Sequence, residues 1–359
     1  MAAEGTQRRL ALVQALKDGA WHSGETIAEA MGVSRTAVWK HAAHLPDWGL
    51  ELESAAGQGY RLPRPLSLLD ATALREALDA PARAAVRDVQ VHAELASTNA
   101  HLLAVNTLPP GAFDLCLAEY QTAGRGRRGR AWQSPFAAGL CFSFSWAFST
   151  LPPGLGALSL ATGVAVRRTL ARFGLAAPVQ LKWPNDLLVN GQKLGGILLE
   201  LRAEAGGPAY VVLGIGLNVQ VPAATREAVA ATGLELTDLE AVAHSVASAA
   251  AQAQPAGASP NTALATPTLP TRTALAAALA SELHAMLMQF TAEGFAPFHA
   301  EWSDADALAG SEVRWQEGER ERSGTACGIA LDGALQVRTA PDRVEPIYAG
   351  EVVHMRKRP

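Results

Sequence analysis

The 359-residue chain is 49% hydrophobic and 18% charged, with a formal net charge of −4. It can bury a sizeable core in two or three domains, and it is not an overall basic sheath for nucleic acid. No apolar run is long enough to span a membrane, and Met1–Arg9 leads into an amphipathic segment rather than an apolar leader, so a cytoplasmic protein is expected.

Residues 1–65 read as a winged helix-turn-helix. Leu12, Val13 and Leu16 give a first helix its apolar face, and Gly19 lies just past its end. Ser23 caps a second helix with Ile27, Ala28 and Met31 inward; Gly32 supplies the turn; Ser34 caps a third helix through His41. Leu50-Glu51-Leu52, the Gly57-Gln58-Gly59 turn and Tyr60-Arg61-Leu62 make the wing. Ser34, Arg35, Thr36, Lys40 and His41 are the candidates for reaching DNA from the third helix. Pro46 is expected to end that helix early or tilt the chain after it. Six Lys/Arg stand against seven Asp/Glu over residues 1–62, so a protein-docking module remains the other reading of this unit.

Pro63 and Pro65 mark the exit into a central mixed α/β domain, residues 66–302, in a chain of α+β class. Within it, residues 245–271 hold no charged and no aromatic residue and read as a disordered insertion. Helical spacing resumes over Ala274–Phe290. From 303 to 359, short β runs separated by Glu317-Gly318 and Asp332-Gly333 predict a small β-barrel. Cys116, Cys141 and Cys327 are odd in number, show no metal-ligand spacing and read as buried thiols.

The central domain carries the chemistry. After the strand Leu115–Gln121 comes Gly124-Arg125-Gly126-Arg127-Arg128-Gly129-Arg130, a loop whose arginines could clamp phosphate or carboxylate oxygens. Its spacing fits neither a Walker loop nor a Rossmann fingerprint. Lys182-Trp183-Pro184-Asn185-Asp186 then leads to Asn190-Gly191, a two-residue hairpin signal. The expected register pairs Val189 with Gln192, Leu188 with Lys193 and Asp186 with Gly195. It places Asp186, Leu188, Lys193 and Gly195 on one face, where Asp186 and Lys193 form either a cross-strand salt bridge or a gap for an amine or phosphate oxygen. Gly214-Ile215-Gly216-Leu217-Asn218 marks close backbone approach, to a flat ring or a bulge. Ser97-Thr98-Asn99 offers an N-cap or a urea-binding group.

Together these residues resemble the bifunctional biotin–protein ligase/biotin-operon repressors, over nearly the whole chain apart from 245–271. The resemblance implies a biotin/lipoate ligase fold with a C-terminal SH3-like β-barrel. It implies biotin and ATP as substrates with Mg2+, biotinyl-5′-AMP as intermediate, and a biotin carboxyl carrier protein and operator DNA as partners. It further implies a homodimer when the adenylate is bound, and no membrane. By resemblance, Ser97, Thr98, Asn99, Gln121, Arg125, Gly126, Arg127 and Lys193 hold biotin. Arg127, Arg128, Arg130, Trp132, Asn185, Lys193 and Asn218 meet the nucleotide. Lys193, Asp186, Arg127 and Lys182 serve catalysis, and no resident metal ligand is assigned. Cys327 stands where the resemblance places a nucleotide-contacting arginine. A lipoate–protein ligase, a sensor without catalysis, and a ligase whose winged unit binds no DNA are the alternatives.

Overall fold

The computed structural model describes residues 2–104, 108–203, 208–252, 269–350 and 352–354. At the N-terminus, α1 (Ala2–Leu16), α2 (Gly24–Met31) and α3 (Arg35–Ala42) bury Leu12, Val13, Leu16, Ile27 and Val38 against one another. Ser23 and Ser34 accept the backbone N–H of Thr26 and Ala37 at 3.0 and 3.2 Å; caps of this kind contribute about 1 kcal/mol each. α3 ends at Ala42, four residues before Pro46, and the chain then turns through a 3-10 helix over Leu45–Trp48 with Pro46 in its first turn. The turn brings Trp48 into the core. The wing is β1 (Glu53–Ala55) paired with β2 (Gly59–Arg61). Leu50 belongs to the core and closes the 3-10 turn by donating its N–H to Leu45, so the strand starts later than the alternation suggests. His22 and Tyr60 exchange backbone hydrogen bonds. Gly59 must be glycine there, since its φ is 99° and a Cβ would lie 2.0 Å from the His22 carbonyl oxygen.

The central domain runs α4 (Ala71–Ala77), α5 (Ala80–Ala85), β3 (Val86–Leu95), α6 (Thr98–Leu103), β4 (Phe113–Gln121), β5 (Gly139–Phe148) and α7 (Leu158–Ala171). It continues through β6 (Val179–Lys182), β7 (Asp186–Val189), β8 (Gln192–Ala203), β9 (Ala209–Asn218), α8 (Ala223–Ala230), α9 (Leu239–Gln252), α10 (Arg272–Glu293) and α11 (His299–Asp304). The strands form a seven-stranded sheet in the order β3-β4-β5-β9-β8-β7-β6, parallel only between β3 and β4. Side chains alternate across it. Leu140, Phe142, Phe144 and Trp146 of β5 face α7 and α10 in the main core, while Cys141, Ser143 and Ala147 face α6. That second face carries the site.

Two expectations need correction. Residues 245–252 complete α9, and Leu269 packs on the core before Thr271 caps α10, so the charge-free stretch is not wholly an insertion; residues 253–268 lie outside the described set. Alanine-rich sequence without charge suits a helix once Val242 and Ala243 are buried. Cys327 is exposed, whereas Cys116 and Cys141 are buried.

At the C-terminus, β10 (Glu312–Glu317), β11 (Arg320–Ile329), β12 (Leu335–Ala340), β13 (Arg343–Ile347) and β14 (Val352–His354) form an antiparallel five-stranded sheet, ordered β13-β12-β11-β10-β14. Register shifts at Ala326/Ile329 and Arg338/Ala340 interrupt its ladders; such shifts bend and twist a sheet. Gly333 packs on Ala157, where a Cβ would come within 2.8 Å of backbone. Its carbonyl accepts the Trp183 indole N–H at 3.0 Å, which ties this unit to the β6–β7 turn. Among the described residues, no helix is long and apolar enough to cross a membrane.

Between α11 and β10, Ala305 and Ala307 bond the backbone of Leu181 at 2.8 and 2.9 Å, so the central sheet holds the chain past residue 302. This half-buries Asp306 and encloses its Oδ2, which lacks a hydrogen-bond partner; burial raises its pKa to about 6, against the pull of the Leu308 N–H. The folded chain therefore binds this proton more tightly than the unfolded chain, and stability falls as pH rises from about 4 to about 6. Asp306→Asn should abolish that slope and stabilise the protein at neutral pH by about 1–2 kcal/mol, read from melting curves taken across the window.

Candidate active site

The α6 face of the sheet gathers the polar residues. Ser97, Thr98 and Asn99 are buried at the start of α6, with Ser97 Oγ capping the helix through Ala100 N–H. Gln121, at the end of β4, accepts from the Thr98 backbone N–H at 2.8 Å and from its hydroxyl at 3.1 Å. Ser143 Oγ on β5 lies 2.7 Å from Thr98 Oγ1 and 2.5 Å from Asn99 Oδ1. Asn99 donates to the Leu198 carbonyl and to Glu200 Oε2, at 3.2 and 2.8 Å. Glu200 also takes the Arg125 guanidinium at 3.1 Å. The result is a knot of donors and acceptors suited to a small polar head group. Ser143 and Glu200 complete it, and no sequence motif singled them out. Their signal was a polar residue between apolar neighbours, Ser143 between Phe142 and Phe144 and Glu200 between Leu199 and Leu201.

The glycines of β9 make room for side chains. A Cβ at Gly214 would meet Asn99 Oδ1 at 2.4 Å, and one at Gly216 would meet the Trp132 ring at 2.4 Å. The flat ring that Gly216 accommodates is thus the protein's own indole. Trp132 Nε1 is buried without a hydrogen-bond partner, a donor placed for an incoming acceptor.

The hairpin meets its expectation with one shift. Val189 pairs with Gln192 and Leu188 with Lys193, but a register shift then leaves Leu194 over, and Asp186 pairs with Gly196 rather than Gly195. Leu194 is buried in the main core, which supplies the force for the bulge. Gly195 accordingly leaves the site face, and Gly196 takes its place beneath the Lys193 side chain. Lys193 Nζ lies 2.6 Å from Asp186 Oδ1, so the pair is a direct ion pair with no gap between the partners. Both are half-buried. Lys182 stands opposite Asp186 across β6 and β7. Asn185 donates to the Ile197 carbonyl at 2.8 Å and receives Arg127 at 3.4 Å. Asn218 supports Lys193 from below, donating to the carbonyls of Lys193 and Thr237 at 3.2 and 3.0 Å.

The arginine–glycine loop closes over this face. Gly126 N–H bonds the Arg130 carbonyl at 2.7 Å, Trp132 N–H bonds Gly124, and Arg125 bridges to Ala131. Arg125 and Arg127 point inward to Glu200 and Asn185. Arg128, at φ 56°, stands at the loop's turn, and its guanidinium faces Gly350 of the C-terminal sheet. Arg130 is exposed. A cavity of about 530 Å³ beneath Arg64, Pro65, Gln220, Glu240 and Thr271 is separate from these groups.

On the winged unit, Arg35, Thr36 and Lys40 are exposed on one face of α3, while Ser34 spends its side chain on the cap. Trp39, 62% exposed, joins this face and was not foreseen as a contact. His41 is half-buried; burial, then the charges of Arg8, His44 and Arg9, hold its pKa below the usual range. The unit is welded to the central domain behind the loop: Trp48 stacks on Phe136 at 4.4 Å, and its indole N–H donates to Glu94 at 2.6 Å.

Residues 93–218 match the biotin/lipoate A/B protein ligase family, residues 8–61 an HTH domain, and residues 309–355 the biotin protein ligase C terminal domain. The chain is similar to the bifunctional ligase/repressor BirA of Salmonella typhimurium, 35% identical over 96% of each chain. BirA of Escherichia coli is 36% identical, again over 96% of each. The solved biotin protein ligase from Aquifex aeolicus, in complex with biotin and ATP, shares the fold with a TM-score of 0.56 and 23% identity, over 76% of this chain and 100% of that one. Fold and site define a protein ligase of the biotin/lipoate type. Across its full organisation the chain belongs to the bifunctional biotin ligase/repressor family.

Proposed function

We propose that the chain is a biotin–protein ligase that also represses transcription through its winged helix. The biotin carboxylate attacks the α-phosphorus of ATP, releasing pyrophosphate and giving biotinyl-5′-AMP. The lysine amine of a biotin carboxyl carrier domain then attacks the acyl carbon; AMP leaves and an amide forms. ATP enters as its magnesium complex. Ser97, Thr98, Asn99 and Gln121 exchange their mutual hydrogen bonds for bonds to the ureido ring. Arg125, Gly126 and Arg127 cover biotin and the adenylate, and the Trp132 indole borders the adenine. Arg128, Arg130, Asn185 and Asn218 complete the nucleotide side, with Lys182 near the phosphates.

The observation that carries the reading is the Lys193–Asp186 pair, on the same sheet face as the Ser97–Asn99 pocket and beneath the arginine loop. Lys193 stabilises charge that develops on the carboxyl and phosphate oxygens in both steps. The adenylate phosphate competes with Asp186 for this ammonium, and the carboxylate so released orients the incoming amine beside Asn185. A homodimer of adenylate-loaded chains would present two winged helices to two operator half-sites. ATP, carrier and operator are met together in the cytoplasm.

The test incubates the protein with magnesium, ATP and radiolabelled biotin, with and without a carrier domain. Labelled biotinyl-AMP in both, and labelled carrier only when carrier is present, is the expected result. Adenylate from lipoate alone would move the substrate to the sister branch, and no adenylate from either acid would leave a sensor without catalysis. For the winged unit, Arg35→Ala should weaken operator binding by about 10-fold or more, the worth of one good base contact, and spare ligation. An unchanged footprint would remove α3 as the reading helix.

A further inference from the structure

The α6 face holds a second cluster that the ligase reaction does not use. Strand β3 projects Asp88, Gln90 and His92 onto this face, Cys116 lies on β4 directly opposite Gln90, and His101 follows Thr98 by one turn of α6. The ligating atoms of His92, His101 and Cys116 all lie within 4.8 Å of one another. The imidazole rings meet edge to face with centroids 5.1 Å apart. The thiol is fully buried among Leu102, Ala147, Tyr210 and Val212. We infer that His92, His101 and Cys116 form a binding site for a borderline-soft divalent ion, zinc foremost.

The donor set decides the class of ion. One sulfur and two imidazoles suit zinc or cobalt and reject magnesium and calcium, so this site is distinct from the metal that accompanies ATP. Tetrahedral zinc places its nitrogen and sulfur ligands roughly 3.3–3.8 Å apart, so a modest closure of the three side chains brings three of the four ligands to that spacing. Water is available for the fourth position.

Gln90 holds the two rings through their Nε2 atoms. Gln90 Nε2 donates to Asp88 Oδ2 at 2.6 Å, which directs its amide oxygen at the histidines, 2.7 Å from His101 Nε2 and 3.2 Å from His92 Nε2. An amide oxygen only accepts, so each ring carries its proton on Nε2 and keeps a lone pair on Nδ1. Burial and the neighbouring His101 hold the His92 pKa below its usual range, in favour of the neutral, ligating form. The burial that raises the Cys116 pKa to about 12 keeps the thiol protonated without metal; on binding, the Sγ–metal bond replaces S–H and the proton passes to solvent. The exposed carboxylate of Asp88 adds negative charge at the mouth. A bound ion would pin α6 to the edge of the sheet one turn from Thr98 and Asn99. The site is independent of the ligase reading.

Cobalt(II) is the probe, added to full-length protein carrying Cys327→Ser to remove the exposed thiol. One cobalt per chain, with thiolate-to-cobalt absorption in the near ultraviolet, is expected. His92→Gln and His101→Gln should each weaken binding by at least about 100-fold, and zinc should raise the melting temperature of the Cys327→Ser protein but not of either histidine variant. Cys116→Ser should lose the absorption; because that change falls in the core, the half-buried histidine variants carry the test if it fails to fold. No thiolate absorption, or absorption and affinity indifferent to both histidines, would overturn the assignment.

Discussion

Lys193→Ala is expected to lower both adenylate formation and transfer to the carrier by about 100- to 1,000-fold, the usual loss when one preorganised group facing developing charge is removed. Lys193 Nζ is held by Asp186, and its backbone carbonyl is held by Asn218, so the ammonium is in place before substrate arrives. The ion pair is half-exposed and contributes only about 0–1 kcal/mol to folding. The variant should therefore melt close to the parent, and a melting curve that does so separates lost activity from lost structure. The two steps are separable: pyrophosphate exchange reports the first, and single-turnover transfer from purified biotinyl-AMP reports the second. A variant that forms adenylate slowly but transfers at full rate would confine Lys193 to the first step. Full activity in both would take it out of the site.

What the sequence made legible was mostly periodic. Asn190-Gly191 announced the hairpin, and both residues do adopt positive φ, 51° and 79°. Alternation then brought Asp186 and Lys193 to one face. The bulge at Leu194 was invisible because its cause is tertiary: the main core draws that leucine in, and Leu-Gly-Gly-Ile carries no local mark of a shift. Likewise Gly216 signalled close approach without naming the visitor, Trp132, which arrives from the far end of a loop. Ser143, Glu200 and the His92–His101–Cys116 cluster join residues from separate elements, and no spacing rule links them. The stretch after 245 misled by composition, since a charge-free alanine run is a poor independent folder but a serviceable C-terminal half for a helix already packed on the core.

Arg272→Ala is expected to cost about 3–5 kcal/mol, the loss found when one partner of a buried ion pair is removed. Arg272 opens α10, where the helix dipole disfavours a cation, and it is only 1% exposed. Its partner compensates the charge. Glu119, 3% exposed, takes one guanidinium nitrogen and, through its other oxygen, the Leu69 N–H at 2.6 Å. The guanidinium also serves the carbonyls of Ser67 and Gly139 at 3.1 and 2.9 Å. The pair thus joins the segment leaving the winged unit to β4, β5 and α10, and alanine would strand a carboxylate and two carbonyls without water. Urea unfolding of the full chain measures the loss, and a decrease below about 1 kcal/mol would show that solvent reaches Glu119. Arg272→Met with Glu119→Leu should recover part of the stability by removing both charges together. The Leu69 N–H and the Ser67 and Gly139 carbonyls would lose these partners, so recovery should stop short of the parent. That shortfall separates the two jobs of Arg272: compensating one buried charge, and satisfying the backbone of the segment that tethers the winged helix to the ligase.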